Sequence, residues 1–435
     1  MATNPQFQAV PHLTTALTGP LHTLETLLLD HQSHIEHWFR EQWRQTPAPF
    51  YASVDLRNAG FKVAPVDTNL FPAGFNNLAP EFQSLCVHAV QSAMERSCPT
   101  AAEVLIVPES HTRNTFYLAS LASLRDIIAN AGYAVRIGSL SPELKTATPI
   151  DLEDGRSLTI EPLQRQGNRV GLADFDPCIM VLNNDLSGGR PEILEGIEQP
   201  VVPPLALGWS TRRKSDHFEQ YRRVAEEFCE LIQIDPWLTT PYYRYCGEIN
   251  FKRREGEDCL AHNTEILLGA IRAKYREYGI EREPFVVVKA DSGTYGMGIM
   301  TVRTLDDVVN LNRKQRSKMA TTKEGLSITR VLLQEGVYTS ETWGADEASA
   351  EPVVYMIDHF VVGGFYRVHG SRARDENLNA PGMQFRSLAF ARGCSSPDHN
   401  QDPDAEPNRF YAYGVIARLA LLAAARESGA QGDPA

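Results

Sequence analysis

Phe285-Val-Val-Val-Lys-Ala-Asp-Ser-Gly-Thr-Tyr-Gly-Met-Gly-Ile-Met300 is the stretch on which the reading of this chain turns. An apolar run ends on Lys289 and breaks into a loop holding Gly293, Gly296 and Gly298. Glycine adopts positive φ at little steric cost and lets backbone N–H groups converge on anionic oxygens. A lysine leading into such a loop adds a point charge for the same phosphates. The order is neither the Walker pattern, in which lysine follows the glycines, nor the dinucleotide-binding fingerprint. An ordinary hairpin or bulge loop shares this composition, so the downstream residues must carry part of the argument. Lys289, Ser292, Gly293, Thr294, Gly296 and Gly298 are the candidate phosphate contacts.

Downstream, Gln334-Glu335-Gly336-Val337 reads as a strand relaxing into an exposed segment whose backbone can meet an adenine edge. Glu341 follows within reach of a ribose. Val353 to Val368 reads as two strands, with Arg367 near the end of the second. Phosphoryl transfer needs cations around the γ-phosphate and oxygen ligands for magnesium. Lys289 and Arg367 are the candidate catalytic cations. The charged segment Ser371 to Asn379 would ordinarily be a solvated loop, but its place just after Arg367 favours function.

In the first half, strands alternate with helices. Tyr51 to Leu56, Val104 to Val107, Tyr133 to Ile137 and Cys178 to Leu182 read as strands, and Thr115 to Ala131 as a helix. Such alternation predicts a mainly parallel, helix-covered sheet. Open α/β sheets bind ligands at the carboxyl ends of their strands, and three loops there are polar. Arg57 and Arg113 each suit bidentate capture of a carboxylate. Asn69, Asn114, Asn183 and Asn184 can orient an ammonium group, although such amides also cap helices and shape turns. Together they suit an α-amino acid. Leu21 to Trp43 reads as one amphipathic helix. Ser215 to Ile232, Asn263 to Tyr278 and Tyr411 to Arg426 read as further helices.

With 435 residues the chain is expected to form two or three domains. Its 43% hydrophobic and 22% charged content is that of a folded, soluble protein. A formal charge of −12 argues against nucleic-acid binding. No apolar run reaches the roughly 18 residues of a membrane span, and the N-terminus lacks signal-peptide features, so a cytoplasmic protein is expected. Seven dispersed cysteines read as reduced thiols. His31, His34 and His37 lack a partner to complete a metal geometry and read as solvated.

The segments Val66 to Asn77, Val107 to Asn114, Lys289 to Met300 and Phe365 to Met383 resemble a bacterial glutamate–cysteine ligase family of the ATP-grasp type. The resemblance spans nearly the whole chain, and the first segment is the most diagnostic. It implies ATP and Mg2+ as cofactors and L-glutamate and L-cysteine as substrates. It also implies a γ-glutamyl phosphate intermediate and a product, γ-glutamylcysteine, on the way to glutathione. The implied fold is α/β: a parallel-sheet, Rossmann-like domain over 1–204, a mainly helical connection over 205–283 and a two-part nucleotide-binding half over 284–435. The chain departs from many ATP-grasp enzymes in lacking a final strand with Asp and Glu-x-Asn. Asp358, Glu376 and Asn379 are therefore the candidate metal ligands. A different ATP-grasp ligase, close to glutathione synthetase, and a non-catalytic nucleotide sensor remain the alternatives. Acceptor preference, feedback control and association into a homo-oligomer are left open.

Overall fold

The computed structural model describes residues 20–110, 114–293, 298–321, 327–387 and 410–430. Arg113, Thr294 and Gly296, three of the candidate contacts, lie outside these segments. The expected first helix is two: α1 (Pro20–Asp30) and α2 (Gln32–Gln45). His31 sits between them with Nδ1 on the Leu27 carbonyl, and α2 buries Ile35 and Phe39. His34 and His37 are exposed.

The chain continues through β1 (Tyr51–Asn58), β2 (Val63–Asn69), α3 (Gln83–Ser97), β3 (Glu103–Pro108), α4 (Thr115–Asn130) and β4 (Ala134–Ser139). Next come β5 (Thr148–Asp151), β6 (Ser157–Pro162), β7 (Gln164–Gln166), β8 (Arg169–Gly171), β9 (Ile179–Asn183) and β10 (Val201–Val202). Strands β10, β9, β3, β4 and β6 pair in parallel in that order, and β5 closes the edge antiparallel. Helix α4 supplies the crossover between β3 and β4. It starts where the Asn114 side chain accepts from the Tyr117 N–H and stops before Gly132, whose φ of 102° suits glycine.

The second half opens with α5 (Lys214–Ile232), β11 (Tyr243–Cys246) and α6 (Glu257–Glu277). It proceeds through β12 (Val286–Ala290), β13 (Met300–Val302), α7 (Asp306–Val309), α8 (Arg313–Met319) and β14 (Val331–Glu335). Strands β11, β14, β12 and β13 form a four-stranded antiparallel sheet with β12 at its centre. The last elements are β15 (Thr342–Trp343), β16 (Ala348–Ile357), β17 (Phe360–His369), β18 (Gln384–Ser387) and α9 (Phe410–Ala430).

One expectation fails here, with consequences for the site. β1 is not in the parallel sheet. It pairs antiparallel with β2 on one side and with β16 on the other, giving the order β18-β17-β16-β1-β2. A short apolar strand carries no mark of its partner, and the alternation of elements suggested the wrong one. The sheet thus joins residues near 55 to residues near 360, across the boundary expected at 204. α9 is apolar on nearly every side, as an enclosed helix tends to be, and its one charge before Arg426, Arg418, pairs with Glu36 at 2.7 Å. Its residues from Phe410 to Ala425 are buried, packed against α5, β1 and β2. Arg212 anchors its end: Nε donates to Glu427 Oε2 at 2.9 Å, with both side chains buried. Among the described residues no helix is long and apolar enough to cross a membrane.

Candidate active site

Alternation along antiparallel strands puts Asp55 and Arg57 of β1, Asp67 of β2, Glu351 of β16 and Arg367 of β17 on one face. Glu351 and Arg367 are register partners, as are Asp55 and Asp67. The charges alternate. Arg57 Nε donates to Glu351 Oε2 at 2.9 Å, and Arg367 Nη1 reaches Glu351 Oε1 at 2.7 Å and Asp55 Oδ2 at 2.8 Å. Isolated buried charges would cost several kcal/mol each, so this pairing is what makes the row tolerable. Burial pushes the Glu351 carboxyl upward, but the flanking guanidiniums outweigh it and hold it below its ordinary value. Arg367 Nε is buried without a hydrogen-bond partner among the described residues.

Between Asp55 and Leu56 the pairing of β1 with β2 shifts by one residue, leaving Val66 as the bulge. Bulges re-aim backbone groups beside functional sites. Here the Val66 carbonyl accepts from Lys289 Nζ at 2.6 Å. Burial lowers Lys289 from its ordinary value to about 8, with Asp67 opposing the fall and Lys214 adding to it. Lys214 opens α5, where the helix dipole disfavours a cation. Its placement is explained by its contacts: Nζ lies 3.1 Å from Asp67 Oδ1 and 3.7 Å from the centre of the Trp209 ring. Asp291, two residues past Lys289, accepts from the Ser215 N–H at 2.8 Å and the Ser215 hydroxyl at 2.9 Å. This clamps the glycine loop's entry to the first turn of α5.

Two spaces adjoin on this face. The smaller, of about 140 Å³, is lined by Lys289, Lys214, Arg367 and Glu351. Val287, Thr301 and Gln334 form a row across β13, β12 and β14 that floors it, and Gln334 Nε2 is buried there without a partner among the described residues. The larger is a groove of about 1640 Å³ walled by residues such as Asn69, Phe116, Asn183 and Tyr355. Asp55, Asp67, Arg367 and Asn379 line both. Whole small-molecule sites occupy roughly 300–1,000 Å³, so a nucleotide with its phosphates would extend from the smaller space towards the junction.

The sequence candidates divide accordingly. Lys289, Gly293, Gln334, Glu335, Val337, Arg57, Arg367, Glu376 and Asn379 line the smaller space, and Ser292 and Gly298 flank it in the loop. Gly298 has a φ of 63°, and a Cβ there would fall 2.7 Å from Ile328. Asn69, Asn114 and Asn183 reach the groove, but each is already engaged. Asn69 Oδ1 accepts from the Phe71 N–H, Asn114 caps α4, and Asn183 Nδ2 donates to the Pro72 carbonyl. Asn184 lines neither space and shapes a turn, accepting from the Leu186 N–H.

Four expectations need correction. Arg57 is no open carboxylate clamp, because its donors are spent on Glu351 and on the carbonyls of Val337, Arg374 and Glu376. The segment Gln334 to Val337 is buried and not exposed, with the Glu335 carboxylate spent on Lys62 at 3.0 Å, the Trp237 indole and the Tyr242 N–H, although Gln334, Glu335 and Val337 still line the cavity. Glu341 is fully buried among the hydroxyls of Tyr366 and Tyr413, away from both spaces, and cannot meet a ribose. Asp358 sits in the β16–β17 turn, bonded to Ser92 at 2.7 Å and Arg96 at 2.8 Å, too far from the cavity to hold a metal there. Conversely, Asp55, Asp67, Lys214 and Glu351 were not singled out. Asp67 lay within the diagnostic Val66 to Asn77 segment, and the dipole-defying position of Lys214 was the available signal for the other cation.

The glutamate-cysteine ligase family model matches residues 25–428. The chain belongs to that family. It is 59% identical, with a TM-score of 0.90, to the solved structure of a Methylobacillus flagellatus protein provisionally named gamma-glutamylcysteine synthetase. That match covers 98% of this chain and 100% of the other. A glutathione synthetase-like effector of Globodera pallida is a remote neighbour: 10% identity, TM-score 0.36, over 82% of this chain and 78% of that one. A search of curated proteins gives no match.

Proposed function

We propose that this face is the active centre of an ATP-dependent glutamate–cysteine ligase of the ATP-grasp kind, with nucleotide in the smaller space and amino acids in the groove. The carrying observation is the junction itself. Lys289 and Arg367, 78 positions apart in the chain, line one cavity, and Arg367 also lines the groove beside it. In this reading the γ-carboxylate of glutamate attacks the γ-phosphorus of ATP, giving γ-glutamyl phosphate and ADP. The amine of cysteine then displaces phosphate and forms the amide.

Lys289, Lys214 and Arg367 supply positive charge where the phosphoryl group crosses from one space to the other. Arg367 Nε, without a partner among the described residues, is a donor suited to an anionic oxygen. Hard oxygen donors suit magnesium, which needs only one or two protein groups beside substrate phosphates. Glu376 and Asn379 on the cavity wall would hold the ion, Glu376 through the lone pairs left over from Arg372 Nη1 at 3.0 Å and the Ala373 N–H at 2.8 Å. When bound, magnesium neutralises charge on the phosphate oxygens. Asp67 offsets the repulsion between Lys214 and Lys289, and the Arg57–Glu351–Arg367 row fixes the guanidinium without leaving it a free rotor.

ADP release is the test, measured with magnesium and ATP in three mixtures: glutamate alone, glutamate with cysteine, and γ-glutamylcysteine with glycine. Release that requires the second mixture supports this reading. Release only in the third assigns a glutathione-synthetase activity, and none in any mixture assigns a nucleotide sensor.

A further inference from the structure

The acceptor reaches the junction as an ammonium, because an α-amino group has an ordinary pKa of about 8. In that form it has no lone pair and cannot attack an acyl phosphate. A group must both hold the cation and take its proton, and it must stand where the two spaces meet. Among the described residues four line both, and only Asp55 and Asp67 are carboxylates.

These two are register partners on β1 and β2, so their negative charges sit side by side. Their surroundings differ. Asp67 is answered by Lys214 at 3.1 Å and by nearby Lys289. Burial would raise it, but the lysines outweigh that and hold it well below the usual carboxylate range. Such a carboxylate is a weak base and is already paired. Among the described residues Asp55 has one ion-pair partner, Arg367 on β17, which engages Oδ2 and is shared with Glu351 on β16. Burial pushes Asp55 upward, Glu351 and Asp67 add to the rise, and Arg367 opposes it. Lys289 on β12 and the Tyr355 hydroxyl on β16 complete the groups that feel its charge. The Asp55 carboxylate keeps Oδ1 outside the Arg367 bond, on the wall shared by cavity and groove.

Resting on the reading above, we propose that Asp55 is a catalytic residue of the second half-reaction: it docks the α-ammonium of the acceptor and removes its proton for attack on γ-glutamyl phosphate. The bookkeeping of bonds is complete. One ammonium proton passes to Asp55 and frees the lone pair. The N–C bond forms at the γ-carbonyl, and the C–O bond to phosphate breaks with its electron pair leaving on phosphate. The second proton lost from nitrogen goes to the departing phosphate, and Asp55 returns its own to solvent.

The test compares two acceptors in the full-length enzyme and in Asp55→Asn. Hydroxylamine is uncharged at neutral pH and traps γ-glutamyl phosphate as the hydroxamate without needing a base. Cysteine needs one. Because Asp55 also holds Arg367, both activities fall in Asp55→Asn, and the expected result is a loss of γ-glutamylcysteine formation about 100-fold greater than the loss of hydroxamate formation. Parallel loss of both activities in a variant with wild-type circular dichroism overturns the proposal and moves Asp55 to glutamate activation or to the support of Arg367. Unchanged cysteine transfer overturns it as well. If the variant does not fold, the wild-type pH profiles decide. With cysteine the rate falls on the acid side as the base protonates; with hydroxylamine, once the rate is expressed per unprotonated reagent, that limb is missing, and identical limbs overturn the assignment. A wild-type enzyme that makes neither product sinks the ligase reading itself, a different failure.

Discussion

The ammonium of Lys289 donates to the Val66 carbonyl at 2.6 Å, joining the end of β12 in one sheet to the bulge of β2 in another. The bond sets the two sheets at the distance that makes the cavity. It also means that Lys289 is held by a neutral acceptor until something anionic arrives.

Lys289 is lowered by burial from 10.5 to about 8 in the folded protein. Between those values the unfolded chain binds more protons than the native one, so this group makes stability rise with pH across that window. Below about 8 the charged lysine is buried in full and its desolvation opposes folding throughout. A bound triphosphate favours the charged form. ATP binding at pH 8.5 should therefore take up protons, read by titration calorimetry in buffers of different ionisation enthalpy. Lys289→Met should abolish the uptake and cut turnover by about 100-fold or more.

Arg57→Ala removes the donor to Glu351 and to three carbonyls. Breaking a buried pair from one side costs about 3–5 kcal/mol, so urea unfolding should shift by that order. Arg57→Lys should recover little, because an ammonium lacks the planar fork. A variant that kept wild-type stability and only raised the glutamate KM would restore the carboxylate clamp.

Glu341 is pushed up to about 8 by burial, with the hydroxyls of Tyr413 and Tyr366 opposing the shift. Its native value exceeds its unfolded one. The stabilisation is thus complete below about 4.5 and lost as pH rises through 8. Glu341→Gln should flatten that decline in denaturation curves taken at pH 5 and pH 8.5. It should leave ATP affinity within about twofold, since the residue touches neither space.

Gly336 follows β14, where its N–H donates to the Phe285 carbonyl at 2.8 Å. A Cβ there would fall 2.1 Å from the buried Phe285 ring. Gly336→Ala must displace the ring or the strand, and overpacking of this kind costs about 1–3 kcal/mol. Val337 on the cavity wall would move with it. Lower thermal stability with weakened ATP binding is expected; unaltered values for both would show that the chain after β14 gives way freely.

Much of the second half could be read from the sequence, because its signals are local. The apolar run before Lys289, the hairpin ending at Arg367 and the loop carrying Glu376 and Asn379 each announce themselves by composition. What could not be read was pairing at a distance. Nothing around Tyr51 says that β1 lies beside β16, and so nothing announced that Asp55 would meet Arg367. Arg57 and Glu341 were misplaced for the same reason: a charged residue gives no local sign of whether its partner is a ligand or a buried side chain. Cys246 and Cys259, scattered in sequence, have their sulfurs 2.9 Å apart across β11 and α6.

The sheet that pairs β1 with β16 has a consequence for how the protein is made. Residues up to 347 leave the ribosome before the first residue of β16 does, and until then one edge of β1 has no partner. Open edges recruit other strands, and chains of this size expose such edges while folding. The acidic and basic side chains around Asp55 thus stay uncompensated through most of synthesis. A nascent chain arrested before β16 holds no reactive centre at all, and its exposed edge is the surface on which a chaperone would act.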